Sequence, residues 1–179
     1  TYGELIHNSK EIARLEEDYN VGLTHDYKSF KTGDKAVIRT HGIPKNELNE
    51  LKENKVDVVD ATCPYVTKPQ QICQEMSTAG YSVVIFGDVA HPEIKGVQSY
   101  ADNAVVVTQP KELEDIKLHD KVAVVAQTTR RVEDYMEVVN YLIPRHKEVR
   151  VFNTICNATF ENQEAARKLA KDADIMIVI

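Results

Sequence analysis

The strongest constraint on how this 179-residue chain can fold is a repeated alternation. Short apolar runs rich in β-branched residues are followed by polar stretches whose apolar residues recur at helical spacing. Each run is too short for a helix, and several end at Gly, Pro or a polar cluster, so they read as strands. Strands that alternate with helices predict an α/β fold with parallel sheets, because the helix between two parallel strands is the crossover. The expected strands are 19–23 (weak), 35–39, 56–61, 81–86, 104–108, 121–126 and 149–152, with another beginning at 173. The expected helices are 9–18, 44–54, 64–79, 92–100, 110–116, 130–143 and 158–172. Gly80 stands where a helix C-terminus needs a left-handed residue.

Composition narrows the class. Apolar residues make up 42% of the chain and charged residues 28%, which fits a soluble protein with a core. A net charge of −6 argues against a general nucleic-acid binder. No apolar run approaches the roughly 18 residues of a membrane span, and no signal peptide is visible. The cysteines are Cys63, Cys73 and Cys156, an odd number without CxxC pairing. That is no disulfide framework, and it favours a reducing, cytoplasmic setting. The chain opens at Thr1 and stops within the apolar run Ile175–Ile179, which makes a piece of a longer protein the expectation.

Ligands of open α/β sheets bind beyond the carboxyl ends of the strands. The residues with most chemistry fall there: His41 after strand 35–39, Cys63 after 56–61, His91 with Glu93 after 81–86, Gln127 and Thr128 after 121–126, and Cys156 after 149–152. His7, just before a helix, is a further candidate. Taken singly, each has a plain structural reading. His41 before Gly42 suits a turn, and His91 before Pro92 suits a helix cap. Glu93 complements a helix dipole, and Thr128 caps a helix well. Their shared placement argues for one site instead. Cys73 lies mid-helix and reads as packing.

Cys63 is followed by Pro64, which suits the first turn of a helix. Cys63 therefore stands near a helix N-cap, facing unpaired N–H groups and the positive end of the dipole, an environment that favours thiolate. Cys156 has the same strand-to-helix placement. Two thiols at strand ends can ligate zinc with histidines, hold an iron–sulfur cluster, or act as nucleophile and resolving pair, and spacing does not choose among these. A dinucleotide site is not expected, since neither G-x-G-x-x-G nor a Walker A pattern occurs.

Six segments together resemble one family. They are Ile6-His7-Asn8, Thr40-His41-Gly42, Asp60-Ala61-Thr62-Cys63-Pro64 with Val66-Thr67-Lys68, His91-Pro92-Glu93 with Gly96, Gln127-Thr128-Thr129, and Ile155-Cys156-Asn157-Ala158-Thr159 with Asn162-Gln163-Glu164-Ala165. In order, and across nearly the whole chain, they resemble the signature blocks of the LytB-type 4-hydroxy-3-methylbut-2-enyl diphosphate reductases of the non-mevalonate isoprenoid pathway. The resemblance implies small parallel-sheet α/β domains around a pseudo-threefold axis and a central 4Fe-4S cluster held by three cysteines. It implies reductive dehydroxylation of the allylic diphosphate to isopentenyl and dimethylallyl diphosphate. Cys63 and Cys156 match cluster ligands, His7, His41 and His91 match substrate-binding histidines, Glu93 matches the proton donor, and Thr128 matches a threonine that hydrogen-bonds substrate or a proton-relaying water. Ferredoxin or flavodoxin is the implied electron donor.

The match departs from the family pattern at both ends. The family's first cluster cysteine precedes position 1, and its Ser/Asn-rich diphosphate-binding segment follows position 179. The expected division is therefore 1–63 for an incomplete first domain, 64–152 for the second, and 153–179 for the start of a third. The segment by itself is expected to be inactive and to lack a stable cluster. The rival reading is a zinc-dependent hydrolase or lyase using Cys63, Cys156 and histidine ligands.

Overall fold

The structure is a computed structural model and describes residues 1–5 and 8–177. In chain order the elements are α1 (Ser9–Tyr19), β1 (Lys35–Ile38), α2 (Lys45–Glu53), β2 (Asp57–Asp60), α3 (Pro64–Thr78), β3 (Ser82–Phe86), α4 (Pro92–Gln98), β4 (Val105–Val107), β5 (Lys121–Ala126), α5 (Val132–Leu142), β6 (Glu148–Val151) and α6 (Asn157–Asp172). Short 3-10 turns lie at Tyr27–Ser29, Pro110–Leu113 and Ile143–Arg145.

Both sheets are parallel, as the alternation predicts. β1 pairs with β2, Ile38 facing Asp60. The larger sheet runs β4-β3-β5-β6. Phe86 of β3 faces Ala126 of β5, and Val124 faces Val151 of β6. In this mixed α/β architecture the carboxyl ends of paired parallel strands come out on the same side, and that is what gathers the site residues.

The central strands show why the apolar runs are continuous rather than alternating. β3 and β5 have a strand on either side and a helical layer on each face, so both faces must be apolar. On one face Val84, Phe86, Val122, Val124 and Ala126 pack with Tyr135, Val138, Val139 and Leu142 of α5. On the other, Val83, Ile85, Ala123 and Val125 pack with Ile72, Cys73 and Met76 of α3 and with Ile94 and Val97 of α4. Fully burying one such aliphatic side chain contributes about 1.5–3 kcal/mol, so this double layer anchors the fold. A separate cluster of Ala36, Ile38, Ile43, Leu51 and Val56 packs beneath the β1–β2 sheet. Cys73 is fully buried, and its burial pushes the thiol up to about 12.

Three expected elements differ. Residues 19–23 form no strand: Asn20 caps α1 in the left-handed region (φ 55°), and only isolated bridges from Tyr2 to Thr24 and Ile38 follow. Residues 110–116 hold only a 3-10 turn over Pro110–Leu113. The apolar run from 173 forms no strand among its described residues. A β-branched run becomes a strand only when a neighbour takes its backbone hydrogen bonds, and residues 173–177 pair with none of the described strands. The helix expected over 130–143 begins at Val132 and tightens to a 3-10 turn at Ile143–Arg145, where Pro144 has no N–H to give. Among the described residues, no helix is long and apolar enough to cross a membrane.

Candidate functional site

The site is assembled from strand ends. After β1, the Thr40 carbonyl accepts the Cys63 N–H at 3.0 Å, which couples the His41 loop to the end of β2. Just before Cys63, the Asp60 carboxylate accepts both the N–H and the hydroxyl of Thr62 and so fixes the turn. Cys63 then stands at the N-cap of α3 with Pro64 in the first turn, and Cys156 stands at the N-cap of α6. Neither sulfur accepts a capping hydrogen bond from its helix, and both residues are half-buried. Both thiols are therefore left for chemistry other than capping.

His91 caps α4: its Nδ1 accepts the Glu93 N–H at 3.2 Å. An accepting Nδ1 leaves the proton of the neutral ring on Nε2, which is then a donor. The His91 ring meets the His41 ring edge-on, with centroids 5.6 Å apart and planes at 72°. Close backbone approach permits this: a Cβ on Gly96 of α4 would lie 3.7 Å from the His41 carbonyl. The amide of Gln70, on α3, fills the space between Gly42 and Gly96.

Glu93 is 2% exposed, an unusual burial for a carboxylate. It is satisfied from just beyond β5. The Thr128 N–H donates to Oε1 at 2.8 Å and the Thr128 hydroxyl to Oε2 at 2.7 Å. The Thr128 carbonyl in turn accepts the Cys156 N–H at 2.9 Å. Gln127 binds in both directions, accepting the Asp88 N–H and donating to the Thr129 hydroxyl, each at 3.0 Å. Contacts thus run without a break from Cys63 through Thr40, His41, His91, Glu93 and Thr128 to Cys156. His7 lies outside the described residues.

Sequence reasoning overlooked Thr154 and Gln70. The buried Thr154 hydroxyl accepts the Ala126 N–H at 2.9 Å and donates to the Ala126 carbonyl at 2.6 Å, which pins the loop before Cys156 to the end of β5. A threonine two residues before a cysteine carries no distinctive signal. Gln70 looks like any polar position of a helix, and only tertiary packing buries it. A zinc site built on Cys63, Cys156 and histidines is not formed: no group of three or more His, Cys, Asp and Glu among the described residues is placed to hold a metal ion.

The model of the LytB protein family matches residues 1–179. The chain belongs to the LytB protein family. Among curated relatives, the 4-hydroxy-3-methylbut-2-enyl diphosphate reductase of Sulfurimonas denitrificans is 78% identical over 180 residues, covering 100% of this chain and 66% of the relative. Those of Nitratiruptor and Campylobacter concisus are 61% and 62% identical, again over all of this chain and 65% and 66% of theirs. The chain thus spans just under two thirds of these relatives. A solved structure of (E)-4-hydroxy-3-methyl-but-2-enyl diphosphate reductase, the terminal enzyme of the non-mevalonate pathway, superposes with a TM-score of 0.79 at 38% identity. It covers 96% of this chain and 62% of that one. The Plasmodium falciparum reductase shares the fold, with a TM-score of 0.85 at 24% identity over 95% of this chain and 55% of its own.

Proposed function

We propose that this chain is the greater part of a 4-hydroxy-3-methylbut-2-enyl diphosphate reductase. The substrate is the allylic diphosphate, and the reaction replaces its hydroxyl by hydrogen and releases water, consuming two electrons and two protons. The observation that carries the reading is the buried Glu93–Thr128 pair beside the His41–His91 rings, in a chain 78% identical to a reductase so named.

Within this reading Glu93 holds the proton that turns a poor leaving group, hydroxide, into water. Thr128 suits that task because a hydroxyl both donates and accepts. It donates to the carboxylate and can turn to accept from the carboxylic acid, so the pair keeps its shape as the proton leaves. His41 and His91, with His7, bind the diphosphate, since imidazole N–H groups donate to phosphate oxygens. Cys63 and Cys156 would hold a 4Fe-4S cluster, for which their soft sulfurs and uncapped placement are suited. Among the described residues they are two ligands, and the third would come from the remainder of the enzyme. When bound, such a cluster would supply electrons and Lewis-acid chemistry towards the substrate hydroxyl. Ferredoxin or flavodoxin would reduce it, in the cytoplasm. The division at 1–63, 64–152 and 153–179 belongs to the same reading, supported by the absence of any ladder between the two sheets among the described residues.

The test is anaerobic turnover of the allylic diphosphate with a low-potential reductant, using a polypeptide of the relatives' full length that carries this segment. Isopentenyl and dimethylallyl diphosphate are the expected products. Failure to form either, with iron and sulfide incorporated, rejects the reading.

A further inference from the structure

Next to the histidine pair is a cavity of about 270 Å³. Two of its lining residues, Gly42 and Pro92, directly follow His41 and His91, yet neither histidine lines it. Among the described residues, the polar groups facing it are Tyr2, His25, Arg39, Glu47 and Lys95.

The charge balance of this cavity runs against that of the chain. The chain carries a net charge of −6, but Arg39, just after β1, and Lys95, on α4, both line this cavity. Neither forms an ion pair among the described residues. The lining carboxylate, Glu47, already accepts the Tyr2 hydroxyl on Oε2 at 2.7 Å. The backbone also lies close to Arg39. Gly3 takes φ +76° with its backbone against the guanidinium, and a Cβ there would lie 2.8 Å from Arg39 Nε. A concave, basic site on an acidic chain focuses the field onto anions. The volume lies just below the range of about 300–1,000 Å³ typical of drug-sized ligands. It suits a small multivalent anion and is too small for a nucleotide.

We propose that this cavity is a second anion site, taking a phosphate or diphosphate group between Arg39 and Lys95, outside the His41–His91 pair. The proposal goes beyond the reductase reading, since it asks for neither a cluster nor reduction.

The experiment follows amide shifts of the ¹⁵N-labelled chain during titration, first with inorganic diphosphate and then with dimethylallyl diphosphate. The Gly3, Gly42 and Lys95 amides should move with both ligands. Arg39→Gln with Lys95→Gln should raise Kd at least about tenfold, while Arg39→Lys with Lys95→Arg, which keeps both charges, should stay within about threefold of the parent. Silence at Gly3 and Lys95 up to about 10 mM of either ligand overturns the proposal. So does wild-type affinity in the double glutamine variant, equal loss in the charge-keeping variant, or a response to the ester alone. Shifts confined to His91 and Thr128 overturn it too, while leaving the reductase reading intact.

Discussion

Thr128 occupies both oxygens of Glu93 at once, its N–H on Oε1 at 2.8 Å and its hydroxyl on Oε2 at 2.7 Å. Both residues are buried, at 6% and 2% exposure. A carboxylate out of water is tolerated only when its lone pairs are satisfied, so this pairing is a condition of Glu93 being where it is. The pairing also bridges the ends of two strands, because Glu93 follows β3 and Thr128 follows β5.

Glu93→Gln should separate chemistry from stability. The amide oxygen can accept the Thr128 N–H, and the amide N–H₂ can donate to a reoriented hydroxyl. Unfolding free energy should change by no more than about 1 kcal/mol. In the full-length enzyme, turnover should fall about 10²–10⁴-fold. Unchanged turnover removes Glu93 as proton donor.

Thr154→Val keeps the shape and removes the hydroxyl that serves both polar groups of Ala126. Two buried backbone groups lose their partner, at about 1–3 kcal/mol each. Denaturant melts should show the loss, with a largely unchanged slope. A Thr154→Ser variant should recover much of it.

Gly42→Ala tests how the His41 loop is held. Gly42 lies at φ +70°, and a Cβ would meet the Gln70 amide nitrogen at 2.8 Å and Thr62 Cγ2 at 3.2 Å. The left-handed conformation alone costs a residue with a Cβ about 1–2 kcal/mol. Destabilisation of at least that size is expected by thermal unfolding, accompanied by altered amide shifts at His91. A fully stable variant would mean that the loop is free to move.

The three thiols should differ in reactivity. Burial pushes Cys73 from 9.0 up to about 12, so it stays protonated and enclosed in the folded state at neutral pH. Iodoacetamide should modify Cys63 and Cys156 first, with Cys73 labelled only after unfolding, as read by peptide mass. The sign for stability follows. The unfolded thiol ionises near 9 and the folded one near 12, so the folded state binds the extra proton between them. The contribution of Cys73 is complete below about pH 9 and is lost as pH rises towards 12. A Cys73→Ala variant should lack that part of the alkaline decline.

By itself the sequence determined the layers, the parallel pairing and which histidines, thiols and polar side chains fall beyond the strand ends. Continuous β-branched runs can be buried only on both faces of a parallel sheet, and such a sheet brings strand ends to one side. That reasoning located His41, Cys63, His91, Glu93, Thr128 and Cys156 before any geometry. It failed where a short apolar or polar stretch depends on its neighbours: residues 19–23 and 173–177 have strand composition, but no strand forms there among the described residues. Tertiary structure alone decided which strand ends touch. Glu93 and Thr128 are 35 residues apart, and nothing local to either specifies the other. The same holds for Thr154 with Ala126, 28 residues apart, and for Gln70 beneath the His41 loop. A side-chain hydrogen bond across such separations is set by the twist and register of the sheet between its partners. Those are collective properties of the packed core, which no local stretch of sequence encodes.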